Sequence, residues 1–251
     1  MTTHRHRLGR WMIYLGFGFA LVCLMQVGSA TAQVAPERVL ERWQNEVDRF
    51  ATIDADQPPR EGGIVFFGSS SIRMWDLKRW FPDRAFINRG FGGSNTTDAI
   101  ILFERLVLPH RPRVIVFYEG DNDIGQGRTP AEVAADFASF AALVERHLPE
   151  TQIVFLSIKP SESRWNQVAT QRDANRRIEA FCAAHPHLRY VDVAACLLGT
   201  DGKPDASLFK EDRLHLSDEG YEIWTRRVNE VLREVDSRGG GQAGESTGTP
   251  E

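Results

Sequence analysis

Four short segments of this chain hold residues that could do chemistry together. Gly68-Ser69-Ser70-Ser71-Ile72 offers hydroxyls, and Asn88-Arg89-Gly90-Phe91-Gly92-Gly93 offers a glycine-rich stretch of backbone N–H groups. Glu119-Gly120-Asp121-Asn122-Asp123 offers a carboxamide among carboxylates. Asp212-Arg213-Leu214-His215 offers an imidazole with an acid three residues before it. A nucleophile, a base, an acid that orients the base, and donors for a developing oxyanion are the parts that acyl transfer requires.

Something must bring these segments to one place, and the pattern between them says what. GIVFFG (63–68), Ala85-Phe86-Ile87, VIVFY (114–118), IVFLSI (153–158) and Leu188 to Val193 read as short buried strands. Helical periods lie between and around them. Val39, Trp43, Val47 and Phe50 mark a first helix, and residues 98–108 are apolar nearly all round. Thr129-Pro130-Ala131-Glu132 is a capping box with Pro at the first helical position, ahead of a stripe of Val133, Phe137, Phe140 and Val144. A helix follows over 167–184, and Ser217 opens a last one carrying Tyr221, Trp224, Val228 and Val231. Strands alternating with helices predict an α/β fold of three layers, α/β/α, around a doubly wound, five-stranded, mostly parallel sheet. Right-handed crossovers bring the C-terminal strand ends to one rim, and open sheets bind ligands there, where the strand order reverses. Three of the four chemical segments directly follow a predicted strand, and the fourth precedes the last helix.

The segments also resemble a known family. VFFGSSSI is similar to the first block of the SGNH hydrolases, the GDSL esterase/lipase family, in which Gly-Asp-Ser closes the first strand. INRGFGGS resembles the glycine block, YEGDNDI the Gly-x-Asn-Asp block, and DRLH the Asp-x-x-His block; all four occur in order between residues 62 and 233. The resemblance implies a flavodoxin-like SGNH hydrolase fold and a serine esterase without a cofactor. It implies Ser70, two positions past Gly68, as the nucleophile. Ser69 stands where the family has Asp and Ser71 where it has an apolar residue, and serines at such a turn commonly cap the following helix. It further implies His215 as general base and Asp212 as the acceptor that fixes the imidazole tautomer. The oxyanion hole would combine the backbone N–H groups of Ser70 and Gly93 with the side-chain amide of Asn122, while Asp123 braces the loop. The remaining histidines suit other places. His147 and His185 fall at helix C-termini, His110 and His187 in loops that enter strands at the opposite rim, and His4 and His6 in the leader.

Other readings of the same residues fail on spacing. Gly90-Phe91-Gly92-Gly93 lacks the third glycine of a dinucleotide fingerprint, since position 95 is Asn, and no acid ends the following strand. No Gly-x-Ser-x-Gly elbow occurs, which argues against the α/β-hydrolase fold. Asp121-Asn122-Asp123 does not continue as an EF-hand loop, and neither HExxH nor HxxEH is found, so no metal is expected. The remaining rival is an inactive carbohydrate- or lipid-binding domain on the same sheet; the full set Ser70, Asn122, Asp212 and His215 argues against it.

The two ends read as something other than fold. Arg5, Arg7 and Arg10 precede an uncharged apolar run from Trp11 to Val27, and Ala30-Thr31-Ala32 offers a small-x-small cleavage site. Residues 1–32 are therefore expected to be a signal peptide, with export to the periplasm or the exterior. Retained, the segment would be the chain's one membrane anchor. Residues 237–251 lack any large apolar residue and are expected to form a flexible tail. Residues 33–236 then make one hydrolase domain. The whole chain has 251 residues, 42% hydrophobic and 25% charged, which fits a globular protein. Its charge is −4, and without the leader it is −7 (27 basic against 34 acidic residues), a poor match to nucleic acid. Cys182 and Cys196 are the cysteines outside the leader; export permits a disulfide between them, and the spacing decides neither for nor against.

The substrate is less determined than the reaction. The family spans acetyl-carbohydrate esterases, lysophospholipases, thioesterases and aryl esterases. Short connections leave no room for a long lid, so short-chain acyl or acetyl esters are expected, with lysophospholipase-like activity on envelope lipids as the alternative. Trp75, Arg164 and Trp165 follow strand ends and are candidates to shape the cleft, as is the carboxylate of Glu119.

Overall fold

The computed structural model describes Met1 and residues 35–240. The expected signal segment, apart from Met1, and the chain beyond Gly240 lie outside the described residues.

Five strands form one parallel sheet: β1 (Ile64–Gly68), β2 (Ile87–Gly90), β3 (Val114–Tyr118), β4 (Gln152–Leu156) and β5 (Leu188–Val191), in the order β2-β1-β3-β4-β5. The sequence expectation of a mostly parallel sheet thus becomes a fully parallel one. Alternation along each central strand feeds two cores. Val65, Phe67, Ile115, Phe117, Ile153 and Phe155 face one layer, built by the helices α1 (Pro36–Asp56), α4 (Thr96–Leu106), α6 (Pro130–His147) and α7 (Val168–Ala183). Ile64, Phe66, Val114, Val116, Val154 and Leu156 face the other, where α8 (Asp218–Gly240) packs through Tyr221, Trp224, Val228 and Leu232. Strands buried on both faces must be apolar throughout, which is why the runs at β1, β3 and β4 were legible.

Three shorter helices, α2 (Ser70–Arg73), α3 (Leu77–Trp80) and α5 (Asp121–Gly125), lie at or just past strand ends. Two boundaries differ from expectation. α4 starts at Thr96, ahead of residue 98, because Asn95 caps it: its Oδ1 accepts from Asp98 N at 2.9 Å while Asp98 Oδ2 accepts from Asn95 N at 3.3 Å. β2 lies at 87–90 and not at 85–87. Its polar residues bond to distant partners, buried Arg89 to Asp54 and His110, half-buried Asn88 to the α2 turn. α8 runs to Gly240, through the first residues of the expected tail.

The chain runs from β1 outward to β2 and then returns across β1 to β3, so the strand order reverses between β1 and β3. Their register pairs Gly68 with Tyr118 and, on the other side, with Gly90. Three strands therefore end level, and the loops that follow them emerge side by side at the switch point.

Candidate active site

The first of these loops turns at once. Gly68 has φ +143°, and a Cβ there would sit 2.0 Å from the Tyr118 carbonyl oxygen, so only glycine lets β1 end this close to β3. The chain then enters α2 through three serines with different fates. Ser69 and Ser71 are each 2% exposed, and Ser69, at the N-cap position, makes no side-chain cap. Ser70 is half-buried, and its Oγ lies 2.9 Å from His215 Nε2. Asn88 braces this turn from β2: Nδ2 donates to the carbonyls of Ile72 (2.7 Å) and Trp75 (3.1 Å), and Oδ1 accepts from Gly90 N (2.8 Å). From the other side the Tyr221 hydroxyl of α8 donates to Ser71 O at 2.9 Å.

His215 arrives on a tight turn rather than on a strand end. Phe209 and Leu216 pair across it, both buried in the α8-side core. Inside the turn Arg213 takes φ +54°, an uncommon conformation for a side-chain-bearing residue. The result is that Asp212 faces back along its own segment. Its Oδ1 accepts the backbone N–H groups of Leu214 and His215, both at 2.9 Å, and its Oδ2 lies 2.6 Å from His215 Nδ1. Desolvation would raise the Asp212 carboxyl, but these hydrogen bonds, the His215 ring first, hold it down to about 2. Ser70, His215 and Asp212 thus form one hydrogen-bonded line.

The remaining loops supply donors. Gly93 is exposed with φ +89°, and its N–H has no acceptor among the described residues. Ser70 opens α2, and its N–H likewise has no acceptor there. Asn122, half-buried at the start of α5, donates from Nδ2 to Ser94 O at 2.8 Å and accepts at Oδ1 from Arg164 Nη2 at 3.0 Å. Asp123 accepts from the N–H groups of Gly120 and Thr96, both at 3.0 Å, which ties the Asn122 loop to the start of α4.

Two of the expected cleft residues are elsewhere. Trp75 is 1% exposed; it packs on Phe66, Tyr221 and Trp224, and its indole N–H donates to Thr225 Oγ1 at 3.2 Å, so it is core. Glu119 is also 1% exposed, neither solvated nor facing a cleft, and its Oε1 lies 2.5 Å from Ser94 Oγ. Burial, with Asp123 alongside, pushes its carboxyl well above the usual range. Arg164 and Trp165 are half-buried on a helical turn, Glu162–Gln167, which touches the histidine turn through a hydrogen bond from Ser163 N to Arg213 O (3.2 Å). Sequence reasoning missed Asn88 and Ser94 as braces, and Lys159 and Asp121 as a buried ion pair. The polar pair Asn88-Arg89 just after the expected strand 85–87, and a lysine just after β4, were the available signals. Cys182 and Cys196 are both free; Cys182 is buried, which pushes its thiol up to about 12.

The sequence and the fold are similar to those of known proteins. The profile of the GDSL-like lipase/acylhydrolase family matches residues 66–223. Platelet-activating factor acetylhydrolase IB subunit alpha2 of Gallus gallus is 24% identical over 203 residues, spanning 78% of this chain and 85% of that one. Among solved structures, a GDSL-like lipase from Bacteroides thetaiotaomicron superposes with a TM-score of 0.66 at 22% identity, covering 75% of this chain and 98% of the other. A catalytic mutant of an acetylxylan esterase from Geobacillus stearothermophilus superposes with a TM-score of 0.55 at 16% identity, covering 70% and 95%. With the family profile spanning more than half of the chain, this chain belongs to the GDSL-like lipase/acylhydrolase family and is a carboxylic ester hydrolase.

Proposed function

We propose that this protein is an exported serine esterase that cleaves short-chain acyl esters, acetyl esters foremost, through a Ser70 acyl-enzyme. The observation that carries the mechanism is the unbroken line from Ser70 Oγ to His215 Nε2 (2.9 Å) and from His215 Nδ1 to Asp212 Oδ2 (2.6 Å). Ser70 Oγ attacks the ester carbonyl as His215 takes its proton; Asp212, ionised, stabilises the imidazolium. The oxyanion of the tetrahedral intermediate is held by the N–H groups of Ser70 and Gly93 and by Asn122 Nδ2. Collapse expels the alcohol, which takes the proton from His215. Water then repeats the cycle on the acyl-enzyme, releasing the acid and restoring Ser70. Small-molecule esters suffice as substrate, and no cofactor enters.

Two things support the acetyl preference. The connections leaving β1, β2 and β3 are brief turns, so these three loops add no long insertion beside the site. A relative is by name an acetylhydrolase subunit, and a structural neighbour an acetylxylan esterase. Export is supported by the leader composition, with cleavage after Ala32.

The test is hydrolysis of p-nitrophenyl esters from acetate to decanoate by the full chain and by Ser70→Ala. Activity greatest on acetate and abolished in the variant is expected, together with fluorophosphonate labelling found on Ser70 by peptide mass spectrometry. Label on Ser69 or Ser71, or a wild-type optimum at long chains, would overturn the nucleophile or the substrate class respectively. N-terminal sequencing of protein recovered outside the cytoplasm should begin at Gln33.

A further inference from the structure

Behind Asn122 lies a charged cluster that the ester chemistry does not touch. Lys159 Nζ sits 3.2 Å from Asp121 Oδ2, and both residues are buried, Lys159 at 1% exposure. Arg164 reaches in from the 162–167 turn, its Nη1 2.8 Å from both Asp121 O and Asp121 Oδ1. Gln171 Nε2 adds a bond to Asp121 Oδ1 at 3.3 Å. Arg164 Nη2 then continues to Asn122 Oδ1, and the far side of the same carboxamide meets Ser94 O.

We propose that Arg164 is a positioning residue for the reaction: it sets which end of the Asn122 carboxamide faces the reacting carbonyl, and the Lys159–Asp121 pair holds it there. A carboxamide is nearly symmetric in shape, and half a turn exchanges oxygen and nitrogen. Flipped, Asn122 would turn a lone pair toward a developing oxyanion and repel it. A guanidinium has only donors and a peptide carbonyl only lone pairs. With Arg164 on one side and Ser94 O on the other, the flipped amide would oppose donor to donor and acceptor to acceptor. The observed orientation satisfies both and leaves the second Nδ2 hydrogen free for substrate. The Arg164 charge held against Oδ1 also polarises the amide, which strengthens that hydrogen as a donor.

Stability alone does not account for the cluster, because a buried ion pair is seldom worth more than well-packed apolar groups of the same volume. Its geometry does account for it: Asp121 and Asn122 are adjacent in sequence, so a guanidinium locked to the first by two bonds can reach the second in only one way. Nor is Arg164 placed to serve substrate directly with the hydrogen bonds it already makes to Asp121 and Asn122.

The inference rests on Asn122 being an oxyanion donor, and a double-mutant cycle separates the two ideas. Steady-state kinetics on p-nitrophenyl acetate would be measured for the full-length wild type, Arg164→Met, Asn122→Ala and the double variant, with Arg164→Lys alongside. Arg164→Met should lower kcat by about 10–100-fold with KM little changed, part of the ~10²–10³ that one oxyanion donor supplies. In the Asn122→Ala background the same change should cost less than about twofold, because the residue it acts through is gone. Arg164→Lys, which keeps charge and loses the fork, should fall between. Additive losses, or a rise in KM with kcat unchanged, would overturn the positioning role while leaving Asn122 as donor. An Asn122→Ala variant with wild-type kcat would overturn both. Should Arg164→Met fail to fold, Arg164→Lys carries the same cycle.

Discussion

Glu119 Oε1 and Ser94 Oγ lie 2.5 Å apart and shut from water. Ser94 Oγ is also 2.9 Å from Phe91 O, a carbonyl that can only accept. One hydroxyl hydrogen cannot serve both. If Ser94 donates to Phe91, the remaining hydrogen must come from Glu119, and a protonated carboxyl supplies it. The second oxygen, Oε2, is buried without a partner, which would be costly for a carboxylate. Burial thus favours the neutral form of Glu119, which fastens the end of β3 to the glycine loop carrying Gly93.

A stability measurement follows. In the unfolded chain a glutamate loses its proton near ~4.3, whereas burial raises the folded Glu119 carboxyl well above that. Above that pH the unfolded state binds fewer protons, so the stability that Glu119 lends is complete below ~4.3 and is lost as pH rises toward the folded value. Glu119→Gln keeps a donor for Ser94 and removes the titration. Its denaturant midpoint should gain on the wild type between pH 5 and 8, with kcat within about threefold. Parallel stability curves would show that Glu119 is ionised.

Asp212 behaves in the opposite sense. Its hydrogen bonds keep it charged down to about 2, so an acid limb of kcat above pH 4 does not arise from it. Asp212→Asn should lower kcat by roughly 10²–10⁴ at pH 7, since the amide offers a donor where the ring nitrogen needs an acceptor. Any stability that the charge contributes is present above its unfolded value of ~3.9 and is lost as pH falls toward 2. The wild type's advantage in urea should therefore be constant above pH 5 and shrink below pH 4. A constant advantage down to pH 2.5 would count against the ionised form.

Asn88 supports Ser70 without touching it. Asn88→Ala strands the carbonyls of Ile72 and Trp75 and the N–H of Gly90. About 2 kcal/mol of stability should be lost, and kcat should fall while KM holds, because α2 no longer sits squarely on β2. Thermal unfolding and steady-state kinetics on the same preparation check both; an unchanged kcat at reduced stability would make Asn88 a purely structural residue.

Gly68→Ala should not give active protein. The added methyl would lie 2.0 Å from the Tyr118 carbonyl, which belongs to a central strand and cannot retreat. Insoluble expression is the expected result. Soluble enzyme with wild-type rates would mean that β1 and β3 can separate at the switch point.

The sequence by itself determined much of this protein. Continuous apolar runs marked β1, β3 and β4, because a strand covered on both faces has no position to spare for a polar residue. The Thr129 capping box appears as written, with Thr129 Oγ1 accepting from Glu132 N at 3.3 Å. The Asp212–His215 spacing was legible because three residues suffice for the segment to fold back on itself. What depends on residues far apart in the chain was decided only by the tertiary structure. β2 was displaced because Asn88 and Arg89 are polar locally and find their partners, Ile72 for the first and Asp54 and His110 for the second, only in the packed chain. Three adjacent serines are alike until α2 turns one of them toward a histidine 145 positions away. Trp75 and Glu119 read as cleft residues because they follow strand ends, yet the α8 side and Ser94 close over them. The physical reason is common to all of these. Periodicity records whether a side chain is to be buried, and only the packed chain determines against what.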